Sequence, residues 1–94
     1  MTLYAACDLH SNNTVLAVID DAGALRYRHR LPNDLPLIDA ALAPFRDELD
    51  GVAVESTYNA YWLIDGLQTA GYPAQMVNTL AVPQYAGAYG QALF

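Results

Sequence analysis

The chain has no lysine, and its only firm cations are four arginines: Arg26, Arg28, Arg30 and Arg46. Against ten acidic residues they leave a net charge of −6. A free-standing nucleic-acid binder usually carries a basic patch and a surplus of positive charge. Any role on DNA must therefore lean on metal ions or on residues elsewhere. The single cysteine, Cys7, rules out an internal disulfide. It lies in an apolar stretch and reads as a buried free thiol of a reducing compartment. The N-terminus lacks the charged and apolar regions of a signal peptide. No apolar run approaches the roughly 20 residues of a membrane helix. A cytoplasmic protein with no membrane partner is the expectation. Also missing are a phosphate-binding glycine loop, a Cys/His zinc spacing, a nucleophile triad, internal repeats and low-complexity tracts.

What remains is a chain of 94 residues, 54% apolar and only 15% charged. That composition specifies one small domain with a packed core, not a disordered segment. A domain this small exposes much surface, and some of its apolar area calls for a partner or a further segment.

Residues 2–8 read as a buried strand ending at Asp8, followed by a Ser11-Asn12-Asn13 turn and a second strand over 14–20. Asp21-Ala22-Gly23 makes another tight turn. A third strand over 24–31 alternates strictly, with Leu25, Tyr27, His29 and Leu31 on one side and Arg26, Arg28 and Arg30 on the other. Pro32-Asn33-Asp34 ends it and can cap a helix. Leu35, Ile38, Leu42, Phe45 and Leu49 then recur at helical spacing, with Pro44 predicting a kink or an end. A fourth strand is expected over 52–55, a helix over about 58–70 capped by Ser56 or Thr57 and stopped by Gly71, and a short strand over 73–77. Asn78-Thr79 opens a third helical segment. The order β-β-β-α-β-α-β-α implies a mixed five-stranded sheet. Right-handed crossovers place the first strand centrally, beside the fourth, with the fifth beyond it. That is the ribonuclease-H-like arrangement.

In it, Asp8 and Glu55 end neighbouring parallel strands about 4.8 Å apart. Two carboxylates so placed can share hard cations such as magnesium, the arrangement used for phosphodiester chemistry. The bland alternative is that Asp8 merely ends a strand and Glu55 sits at a helix start, where the dipole favours an acid. His10 can bind metal, contact phosphate, shuttle a proton, or only hydrogen-bond within its turn. Arg26, Arg28 and Arg30 can meet phosphates, or form a charged edge that resists aggregation. Tyr58, Tyr61 and Trp62 can stack on bases, although packing between helix and sheet is the favoured expectation.

Asp8-Leu9-His10-Ser11-Asn12-Asn13-Thr14 and Val54-Glu55-Ser56-Thr57-Tyr58-Asn59-Ala60-Tyr61-Trp62-Leu63 together resemble the N-terminal part of bacterial insertion-sequence transposases of family one-ten, whose catalytic domain is a RuvC-like DEDD fold. Arg30-Leu31-Pro32-Asn33-Asp34-Leu35, Asp65-Gly66-Leu67, Ala70-Gly71-Tyr72 and Asn78-Thr79 also look familial, so the resemblance covers nearly all of the chain. It implies that Asp8 and Glu55 are the first D and the E of an acidic, metal-binding tetrad. It further implies magnesium (with manganese able to substitute), DNA and a structured guide-like RNA as partners, homo-oligomers, and DNA cleavage and strand transfer.

The chain departs from that pattern. Family members continue past the Tyr85-Ala86-Gly87 region with a lysine and then an Asp-x-x-Asp pair on the following helix. Here Tyr89 stands near the lysine position, and no acid lies beyond Asp65. The expectation is a single partial domain over 1–94, its C-terminal helix incomplete, that is inactive alone. It corresponds to a truncated, frame-disrupted or excised N-terminal portion. Competing readings are a non-catalytic self-association module and, less favoured, an actin-like ATPase fragment. The latter's phosphate loops need glycine where His10 stands.

Overall fold

The computed structural model describes residues 1–56 and 59–77. Three strands form an antiparallel meander: β1 (Leu3–Leu9), β2 (Asn13–Asp20) and β3 (Leu25–Pro32). β4 (Leu49–Ser56) pairs with β1 in parallel, and β5 (Ala74–Met76) pairs in parallel with β4. The sheet order is β3-β2-β1-β4-β5, so β1 is central, as the connection rules require. The expected third helical segment, from residue 78, lies outside the described residues.

The turns follow from their residues. His10 N–H donates to the Asn13 carbonyl at 2.8 Å and closes the β1–β2 connection. At the β2–β3 turn, Asp20 Oδ1 accepts the backbone N–H groups of Ala22 and Ala24, at 3.0 and 2.9 Å. A short acidic side chain thus stands in for backbone acceptors. Its second oxygen accepts from Arg26 Nη1 at 3.3 Å.

Helix α1 (Leu35–Leu42) starts where Asp34 Oδ1 accepts the Leu37 N–H at 3.2 Å, and Pro36 lies in its first turn, where a missing N–H costs nothing. Pro44 ends the α-helix, and the chain continues as 3-10 turns over Ala43–Glu48. Leu49 closes the predicted apolar stripe by sequence but belongs to β4, which starts three residues earlier than expected. Helix α2 (Tyr61–Thr69) begins later than the expected 58. Its entry is held by Asn59, whose Oδ1 accepts the Tyr61 N–H at 3.0 Å. Ser56 is still in β4, so it is not the cap, and the alternative, Thr57, lies outside the described residues. The α2 exit is a Schellman turn: Tyr72 N–H donates to the Leu67 carbonyl, Gly71 N–H donates to that of Gln68, and Gly71 takes φ +96°.

Alternation along the strands divides the sheet into two faces. Leu3, Ala5, Cys7 and Leu9 of β1, Leu16 and Val18 of β2, and Val52 and Val54 of β4 form one core with Ile38 and Leu42 of α1 and Leu63 and Leu67 of α2. Burying each such leucine contributes roughly 1.5–3 kcal/mol. The opposite face carries a smaller cluster of Ala6, Ala17, Ile19 and Ala53, flanked by Tyr4 and Val77. Asp8 and Glu55 continue this second face.

Candidate metal centre

Asp8 and Glu55 are direct register partners across the parallel β1–β4 pair. Register partners project to the same face, with strands about 4.8 Å apart. On the opposite face Ala5 and Cys7 of β1 and Val52 and Val54 of β4 are locked into the main core, so neither strand can slip by one residue without turning its own acid into that core. Core packing on one face therefore fixes the carboxylates on the other. The Asp8 side chain is 26% exposed, which leaves it shielded yet reachable from solvent.

His10 follows the end of β1. Its Nε2 donates to Asp8 Oδ2 at 3.0 Å, because an ionised carboxylate can only accept. The ring itself is 51% exposed. Its backbone carbonyl accepts Asn33 Nδ2 at 2.8 Å, and Asn33 Oδ1 accepts the hydroxyl of the fully buried Thr14 at 2.6 Å. The chain of contacts runs Thr14, Asn33, His10, Asp8.

The three strand arginines separate in structure. Arg26 is paired with Asp20 at the far end of β3. Arg28 lies in the row of Ala17, Ala6 and Ala53. Arg30 is the register partner of Val15, and Val15 is that of Asp8, so Glu55, Asp8, Val15 and Arg30 form one cross-strand row. Tyr61 and Trp62 do not pack between helix and sheet as expected: they are 68% and 38% exposed on the first turn of α2. Their helix turns Leu63, Ile64 and Leu67 inward instead, and a helix packed on one side leaves the positions on its opposite side to solvent. Tyr58 lies outside the described residues.

Two carboxylates at one strand level are hard oxygen donors, which fits magnesium or manganese in kind. Among the described residues no group of three or more His, Cys, Asp or Glu side chains is arranged to hold a metal ion. His10 therefore belongs to the surroundings of Asp8 and not to a ready-made ligand trio. The sequence pointed to Asp8, Glu55 and His10. It did not point to Asn33 as a site residue, because Pro32-Asn33-Asp34 reads as a strand-ending, helix-capping turn within the family-like Arg30–Leu35 segment. An amide side chain just after an edge strand was the one available signal.

Among the described residues no helix is long and apolar enough to cross a membrane. No family model and no curated protein sequence matches the chain. Among solved structures it is similar to T. thermophilus RuvC in complex with a Holliday junction substrate, at TM-score 0.65 and 19% identity, over 94% of this chain and 71% of that one. The likeness establishes the fold: a mixed five-stranded sheet of the ribonuclease-H-like, RuvC-like class.

Proposed function

We propose that this RuvC-like chain is the N-terminal catalytic-domain portion of a DNA transposase or recombinase that acts by metal-assisted phosphodiester cleavage and strand transfer. The observation that carries the reading is the register pairing of Asp8 with Glu55 at the ends of β1 and β4. The family resemblance makes these two the first D and the E of the tetrad. The likeness to RuvC, whose solved complex holds a Holliday junction, supports DNA as the substrate class.

Asp8 and Glu55 would hold magnesium, or manganese in its place. When bound, such ions stabilise the attacking and leaving oxygens at a phosphate. Asp8 is held by His10, and the paired strands set Asp8 and Glu55 side by side in register. Arg30, in the same row, is the best placed of the three strand arginines to meet a DNA phosphate, and exposed His10 is a further contact. Asp8 and Glu55 supply two of the four carboxylates that the resemblance implies. A guide-like RNA, homo-oligomers and a cytoplasmic location belong to the same proposal.

Calorimetric titration of the chain with Mn²⁺ tests the site. Weak binding that disappears in the Asp8→Ala, Glu55→Ala double variant is the expected result. Binding that persists in the double variant overturns the assignment.

A further inference from the structure

We infer that Asn33 is the positioning residue for Asp8, acting through His10. The inference rests on the reading of Asp8 as a cation ligand, and it adds a residue that does not itself touch the ion or the substrate. Three observations carry it. First, both ends of the Asn33 amide are engaged: Oδ1 accepts from Thr14 Oγ1 at 2.6 Å, and Nδ2 donates to the His10 carbonyl at 2.8 Å. A flipped amide would set oxygen against a carbonyl oxygen, so the orientation is fixed. Second, the anchor is rigid. Thr14 is fully buried in β2, and its backbone pairs in register with Leu9 on one side and Leu31 on the other. Third, His10 is exposed, and its turn is closed by one backbone bond, from its own N–H to the Asn13 carbonyl. The Asn33 bond is the second restraint on the peptide that aims the imidazole at Asp8 Oδ2, 3.0 Å away.

The physical consequence is indirect ligand orientation. A carboxylate held by an outer hydrogen bond presents its remaining lone pairs in a defined direction, and such outer partners set metal affinity. Asn33 stands between the last residue of β3, Pro32, and the α1 cap, Asp34. It is thereby held from two elements while it holds the turn of a third. Twenty-three residues separate it from His10 in sequence, so only the folded sheet brings the two together.

Asn33→Asp is the diagnostic change, since it keeps the shape, removes the donor and sets a carboxylate against the His10 carbonyl. Thr14→Val is the second variant, removing only the hydroxyl that fixes the amide. At fixed pH and without metal, NMR reads the Asp8 carboxyl carbon and the His10 ring nitrogens, while backbone amides of β1, β2 and β4 report the fold. With the sheet amides unchanged, both variants are expected to shift the Asp8 carboxyl signal toward its position in His10→Ala. Mn²⁺ titration should then show a dissociation constant raised by about tenfold in Asn33→Asp. The inference is overturned if the Asp8 and His10 signals keep their wild-type positions in Asn33→Asp, or if His10→Ala leaves Asp8 unmoved. Absence of Mn²⁺ binding in the unaltered chain defeats the cation reading separately, because the metal-free spectra still decide whether Asn33 orients Asp8.

Discussion

Arg30 stands in the same cross-strand row as Asp8, with Val15 the single residue between them. Arg26, at the other end of the same strand, is instead engaged with the buried Asp20. The row places a cation about two strand spacings, roughly 10 Å, from the carboxylate. A DNA phosphate near the carboxylates would lie nearest Arg30 in the stripe and farthest from Arg26.

Binding of a short DNA duplex in Mg²⁺ should therefore distinguish the arginines. Arg30→Ala is expected to weaken binding and to reduce the slope of log K against log salt by about 1, as for loss of one phosphate contact. Arg26→Ala should leave the slope unchanged and lower stability instead, because Asp20 loses its partner at the turn. Fluorescence anisotropy across a salt series checks both. Equal slopes in the two variants would remove Arg30 from the interface.

Cys7 is fully buried, and burial pushes its thiol from 9.0 up to about 12. The folded state therefore keeps the proton while the unfolded chain releases it. The contribution to stability is complete below about pH 9 and is lost as pH rises toward 12. Cys7→Ala is expected to flatten the alkaline decline in that window, measured by urea melts at stepped pH. In the unaltered protein, thiol labelling at pH 8 should proceed only through opening of the sheet, and labelling in the dead time of mixing would contradict the burial.

Gly71 and Gly23 both have positive φ, +96° and +84°, but they differ in their surroundings. A Cβ on Gly23 meets open space, whereas one on Gly71 meets the Arg46 guanidinium. That guanidinium donates to the Ala70 carbonyl and lies 4.9 Å from the centre of the Tyr72 ring. Gly23→Ala should cost about 1 kcal/mol of backbone strain. Gly71→Ala should cost more than that, because Arg46 must also leave its place. Thermal melts of the two variants compare them directly, and equal losses would mean that Arg46 yields freely.

Leu63 is fully buried at the centre of the core that joins α2 to β1 and β4. Leu63→Ala should destabilise the fold by about 3 kcal/mol through lost burial and a residual cavity. It should also weaken Mn²⁺ binding in proportion to unfolding and no further. Urea denaturation followed by fluorescence measures the first effect. A metal-affinity loss in fully folded Leu63→Ala would show that α2 packing tunes the carboxylate spacing.

Much of this architecture was legible because its signals are local. The alternation of Leu25, Tyr27 and Leu31 against the arginines identifies β3, and Asp34 with Pro36 marks the start of α1. Where expectation and structure part, a nonlocal contact decided. Leu49 fits a helical stripe, but the parallel pairing with β1 recruits it as the first residue of β4. Tyr61 and Trp62 are apolar enough to pack inward, yet α2 is rotated by the deeper burial of Leu63, Ile64 and Leu67. Among the site residues, Asp8 and Glu55 stand out at strand ends. Asn33 does not, because its two partners are 19 and 23 residues away.

The sequence by itself determined the strand and helix order, the apolar faces and the two carboxylates, since periodicity and turn chemistry are properties of neighbouring residues. Tertiary structure alone decided that Arg30 shares the row of Asp8 and Glu55 while Arg26 does not, and that Asn33 stands behind His10. Those relations depend on strand register, which is set by how both sheet faces and the helices pack together and is written in no single segment.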